Sequence, residues 1–177
     1  MKNLTSIIEC EVPATSLLAR DVIESAYFRD SYRAPLAQPN ASVVDIFFGV
    51  FGHNPIWMKR VLIARNRIAL LCGLDAPAAA AIMNPEVKSS YRVGDTIGPW
   101  PIFALTQTEL IAGRDNGHLD FRLSVLKEII DGVPNVVIST ICTVHNRYGK
   151  VYLFFIVPFH RWGVRWLMTR AINAGRL

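Results

Sequence analysis

The stretch HLDFRLSV, residues 118–125, alternates without a fault: Leu119, Phe121, Leu123 and Val125 fall on one side, His118, Asp120, Arg122 and Ser124 on the other. A period of two marks a strand with one apolar face. The other face gathers an imidazole, a carboxylate and a guanidinium at three consecutive same-side positions. That set could hold a polar ligand or move protons, and it could equally stand in water, as one face of an antiparallel sheet often does.

The next turn extends the reading. Asp131-Gly132 has the chemistry of a two-residue hairpin turn. If Ile130 faces Val133, then His118 faces His145, Asp120 faces Thr143 and Ser124 faces Ser139. On the apolar side Leu119 faces Val144, Phe121 faces Cys142 and Val125 faces Ile138. Polar and apolar positions sort onto matching faces of both strands, which supports this register or one shifted by two. A short turn at RDNG (114–117) adds Glu109 to the polar face near Arg122. A short turn at NRYGK (146–150) adds Tyr152 and Phe154.

Working outward, strands are expected at 101–112, 117–130, 133–146 and 150–157. A first strand is expected at 6–13, closed by Pro13, and SYRAPL (31–36) reads as extended. Between them lie two helices. Asn40 or Ser42 caps the first, in which Val43, Ile46, Phe47, Val50 and Phe51 recur at helical spacing. Asn54-Pro55 starts the second and Gly73 stops it. Pro158 is read as opening a final helix that ends near Gly175. The order strand, two helices, antiparallel meander, C-terminal helix predicts an α+β domain, one unit over 1–177, with a curved antiparallel sheet wrapped around the C-terminal helix.

At 177 residues, 51% hydrophobic and 19% charged, the chain is long enough to bury one substantial core. The net charge of +5 is spread out, with no run of five or six basic residues, so nucleic acid is not an expected partner. Cys10, Cys72 and Cys142 lack CxxC or metal-finger spacing and read as reduced, buried thiols. Glu9 and Glu11 come too early for a signal-peptide apolar region, and no apolar run nears the roughly 18 residues that span a bilayer. A cytoplasmic location is expected. No HxH, HExxH, Walker, GxGxxG or GxSxG pattern is present, so no metal or cofactor is expected.

Four further residues stand out. Arg65 falls inside the apolar arc of the second helix, formed by Trp57, Val61, Ile68, Cys72, Met58, Ala69 and Leu62. A charge there calls for a partner, Asp120 or Glu109, unless it snorkels to the surface. His160 projects with Val164, Leu167 and Ala171, so it points inward as a core histidine or a ligand contact. Trp162 and Trp166 lie one turn apart on the opposite side with Arg161, Arg165 and Arg170 nearby; a loop or the N-terminal segment is expected to cover them, the alternative being a membrane-surface or protein contact.

With SYRAPL, the RN pair of ARNRIALLCGL (64–74), GHLDFRLSV (117–125), TVHN (143–146) and PFHRWGVR (158–165) in hand, the chain resembles the bacterial family catalogued as domain of unknown function 2867. That resemblance implies a helix-grip domain related to polyketide cyclases and lipid-transfer proteins, in which a curved sheet wraps a helix around a cavity. It implies no activity, since fold alone does not carry one.

The leading expectation is a binding domain for a small, partly apolar, anionic molecule. Arg122 and Arg65 would receive the acidic group, with Glu109, Thr143, Tyr152, Phe154 and His160 lining the pocket. The alternatives are a cyclase- or hydrolase-like enzyme using His118 or His145 as general base oriented by Asp120, and an interaction module working through Trp162 and Trp166.

Overall fold

The computed structural model describes residues 7–71 and 88–177, with the side chains of Arg65 and of residues 68–71 outside that description. Among the described residues, seven strands form one curved, open sheet. They are β1 (Ile8–Glu9), β2 (Phe28–Pro35), β3 (Thr96–Ile97), β4 (Trp100–Leu105), β5 (Glu109–Asp115), β6 (Leu119–Ile130) and β7 (Val133–Val144). Their order across the sheet is β1-β2-β7-β6-β5-β4-β3, and every neighbouring pair is antiparallel. Four helices among the described residues accompany it: α1 (Arg20–Ser25), α2 (Val43–Phe51), α3 (Ile56–Leu71) and α4 (Arg147–Asn173).

The central hairpin has the register its sequence implies. Ile130 faces Val133, Asp120 faces Thr143 and Leu119 faces Val144. Asp131 and Gly132 carry φ of 52° and 75°, the paired positive values of a type I′ turn, whose twist matches that of the flanking strands. Beyond Leu119 the pairing continues as the His145 amide donates to the His118 carbonyl at 3.0 Å.

Local signals explain the helix starts. Ser42 and Asp45 form a reciprocal capping box at α2: the Asp45 amide donates to Ser42 Oγ and the Ser42 amide to Asp45 Oδ2, each at 3.1 Å. Asn146 caps α4, accepting from the Gly149 amide at 3.1 Å. A Cβ on Gly149 would collide with the His118 carbonyl oxygen and crowd Val144, so the first turn of α4 sits directly on the sheet end.

Two sequence expectations are corrected. Residues 150–157 are not a strand but the first half of α4, which runs through Pro158 without a break. NRYGK is a cap and first helical turn, and the β-branched and aromatic run after it repeats at helical rather than strand spacing. The strand expected at 101–112 is two strands, β4 and β5, divided where Thr106 turns the chain by accepting the Thr108 and Glu109 amides. The meander thus keeps four strands, displaced toward the N-terminus.

Both faces of the sheet are covered. On the apolar face, Leu123, Val125, Ile138 and Tyr32 pack against Ile46, Phe47 and Val50 of α2 and Val164, Leu167 and Met168 of α4. Each such fully buried side chain contributes about 1.5–3 kcal/mol of transfer free energy. On the opposite face, Ile111 and Ile141 lie under a strap formed by residues 12–26, which supplies Val12, Leu18, Val22 and Ile23.

A buried carboxylate holds that strap. Glu109, 1% exposed, accepts 2.6 Å hydrogen bonds from the Ser16 and Ser124 hydroxyls and from the Leu17 amide. Replacing Glu109 with Ala should lower stability by about 3 kcal/mol, because three donors lose a charged acceptor in a site with little water. Urea denaturation measures this, and an unchanged midpoint would show that the strap is held by its apolar contacts alone.

Candidate functional site

The polar face of β6 and β7 is the strap face, not the helix face. His145 Nε2 lies 3.0 Å from Asp120 Oδ2 across the hairpin, both groups partly open to solvent, and Asp120 Oδ1 accepts from the Asn116 amide at 3.3 Å. Thr143 faces Asp120. Arg122 donates through Nη1 to Asp115 Oδ1 at 2.5 Å, and its guanidinium lies 3.8 Å from the centre of the Phe103 ring. Two of the expected polar residues are therefore engaged by neighbours that sequence reasoning did not assign: Arg122 by Asp115, and Glu109 by the strap.

Other expected residues are placed elsewhere. His118 precedes β6 and leaves its alternation: it is buried, with its ring edge-on to Tyr152 of α4 at 6.0 Å. Tyr152 packs beside Phe28, Leu119, Cys142 and Leu153 on the helix side, and Phe154 is exposed on α4, so neither aromatic borders the polar strand face. The reason is the correction made above, helix in place of strand. The Arg65 side chain lies outside the described residues. Its helix is on the side away from the polar face, since Met58 joins the main core and the Trp57 ring meets Trp162 and Trp166. Asp120 and Glu109, its expected partners, are engaged by His145 and by the strap.

The helix side holds a second polar centre. β2 alternates Phe28, Asp30, Tyr32 and Ala34 toward α4, putting one carboxylate into an apolar row. The Asp30 side chain is 1% exposed. Its Oδ2 accepts from the Tyr32 hydroxyl at 3.2 Å, and its Oδ1 lies 3.4 Å from His160 Nε2. His160, inward-facing on α4, also sets its ring edge-on to Phe28 at 5.7 Å. Thr140 faces Asp30 across the β2–β7 ladder, and its buried hydroxyl has no hydrogen-bond partner among the described residues.

The electrostatics follow from burial. Desolvation, with the Asp30 charge adding to it, pushes the Tyr32 phenol up to about 12 from an ordinary 10.0. The same two causes push the Cys142 thiol up to about 12 from 9.0. Both groups stay protonated at neutral pH: Cys142 is an inert thiol, and Tyr32 a hydrogen-bond donor. Asp30 thus offers an acceptor, Thr140 an unused hydroxyl and His160 an imidazole at the solvent-reached edge. Among the described residues no three His, Cys, Asp or Glu side chains converge as metal ligands.

Sequence reasoning missed Asp30 by starting the extended segment three residues too late, at Ser31. Read from Phe28, the alternation would have exposed a lone acid on an apolar face, the same kind of signal that singled out Arg65.

These shifts set a pH dependence. Folded-state values raised above the unfolded ones give stability that is fully present below about pH 9 and is lost as pH climbs toward 12, because the unfolded thiol and phenol ionise first. Urea midpoints should hold to pH 9 and fall steadily above it, and Tyr32→Phe with Cys142→Ala should flatten that fall. An equally steep decline in the double variant would place its origin elsewhere.

Comparison with known proteins adds a family but no activity. No functionally curated protein matches the chain. Residues 22–167, from within α1 to the inward face of α4, match the family model described as "Protein of unknown function (DUF2867)". The matched span contains the central hairpin, Asp30, Thr140 and His160, and the chain therefore belongs to the DUF2867 family.

Proposed function

We propose that the chain is a small-molecule-binding domain, acting as one unit, whose ligand lies between the sheet and α4 with its polar head at Asp30, Thr140 and His160. One observation carries this reading: a carboxylate 1% exposed in an apolar wall, facing a buried hydroxyl with no partner among the described residues. Burying such groups is costly unless something completes their hydrogen bonding. Phe28 and Tyr32 supply aromatic walls, and a few convergent polar groups in an apolar lining are the usual composition of a ligand site. The perturbed Tyr32 and Cys142 at the same spot add to it.

The chemistry favours a head that donates hydrogen bonds, a hydroxyl, amide or amino group, over the anion that Arg122 was expected to receive. Arg122 is neutralised by Asp115, whereas Asp30 repels anions. The free thiols Cys10 and Cys142 agree with a reducing compartment and hence with the cytoplasm.

A second reading, a cyclase- or hydrolase-like enzyme, rests on the 3.0 Å contact of Asp120 with His145, in which the carboxylate would orient a general base. The two readings involve opposite faces of the sheet, so variants separate them. Native mass spectrometry of protein purified from its host should detect a retained small molecule. Thr140→Val, which exchanges a hydroxyl for a methyl of the same shape, should weaken retention by about tenfold, and Asp30→Asn by tenfold or more. His145→Ala should leave retention intact. Full retention in both Thr140→Val and Asp30→Asn would overturn the site, and loss in His145→Ala alone would move it to the strap face.

A further inference from the structure

The outward side of α4 is as apolar as its inward side. Buried Leu153, Val164, Leu167 and Ala171 mark the face toward the sheet. At about 100° per residue, Tyr148, Val151, Phe155, Phe159, Trp162 and Trp166 fall within an arc of roughly 80° nearly opposite that face. Phe155 is 62% exposed, Phe159 74% and Trp162 55%. The stripe runs roughly 20 Å from Tyr148 to Trp162 at the helical rise. It widens onto α3, where Ile56, Trp57 and Val61 are exposed and the Trp57 ring lies 6.4 Å from Trp162 and 5.7 Å from Trp166. A continuous aromatic surface of this extent exceeds the scattered apolar exposure of ordinary protein surfaces.

Its charge is one-sided. No aspartate or glutamate occurs between residues 46 and 74 or from 132 to the end of the sequence, the two stretches that carry α3 and α4. Arg147, Lys150, Arg161 and Arg165 are exposed along one flank of the stripe, and Arg60 is exposed on α3. Arg165 is answered by Glu9 of β1 at 2.7 Å; that acid lies at the sheet edge beside the stripe.

We propose that this face docks the domain on an anionic lipid membrane surface, with the aromatic stripe sunk to headgroup depth and the flanking cations among lipid phosphates. Aromatic residues with a basic flank on one helix side are what interfacial helices present to such surfaces. Among the described residues no helix is long and apolar enough to cross a membrane, so the helix lies on the surface rather than through it. A second copy is a poorer occupant, because self-association would press two acid-free basic rims together. Aromatics and arginines also occur at protein contacts, but a face with no acid along either helix is matched best by a surface that is anionic throughout. The proposal does not depend on the ligand site, which lies on the opposite side of α4.

The test uses the full chain with vesicles of phosphatidylcholine alone or mixed with phosphatidylglycerol. Co-sedimentation should occur with the mixed vesicles, weaken in high salt and blue-shift the tryptophan emission. The pair Phe155→Ser and Phe159→Ser, both outward and exposed, should abolish it. The pair Lys150→Gln and Arg161→Gln should lower affinity by about tenfold or more. Circular dichroism verifies that each variant is folded, and Thr140→Val should bind vesicles as the parent does. Binding equal on neutral and anionic vesicles, no binding to either, or a dimer dispersed by the Phe155 and Phe159 changes would each overturn the proposal.

Discussion

Everything in this molecule hangs on the two-residue turn at Asp131-Gly132. Both residues occupy positive φ, and their neighbours Ile130 and Val133 face one another, so the eleven further pairs down the hairpin have no freedom of register. A slip of one residue would send Leu123 and Val125 to the strap and Ser124 to the helices. β2 and β5 then add to the two sides of this hairpin, inheriting its division into faces. The main core, the strap contact at Glu109 and the Asp30 centre are all consequences of which residues that division sends to which side.

The division was legible in the sequence because alternation is local. Leu119, Phe121 and Val125 announce their side without reference to anything distant, and so do the partners set by the turn. What covers each side was not legible, because it depends on contacts between remote segments. Nothing near Arg122 says that a strap beginning before residue 20 will lie over its face, and nothing near Glu109 names Ser16. The polar face therefore looked like an open candidate for a pocket, while the face that meets α4 looked like plain core.

The helix α4 shows a different failure. Its first half is rich in valine, phenylalanine and tyrosine, which favour strands, and it is followed by a proline, which usually opens or ends a helix. Packing reverses both preferences: Leu153 is drawn into the cluster around Cys142, and the Asn146 cap sets the helix direction before the proline is reached. The outward aromatics that made the segment resemble a buried strand are instead exposed.

The pairing of β2 with β7 also has a kinetic meaning. Ser31 meets Ser139 across the ladder, a hydrogen bond between residues 108 apart in sequence, whereas the meander from β4 to β7 is built of near neighbours. Loop-closure entropy favours the near pairs first. The meander is then the natural early structure, with β2 zipping on later and the strap closing last, since it needs Glu109 already in place. Until β2 arrives, β7 is an unprotected edge rich in valine and isoleucine, the kind of surface that recruits another chain. A nascent molecule is thus most vulnerable to aggregation in the interval between hairpin and strand insertion, and the mature fold hides all trace of that interval.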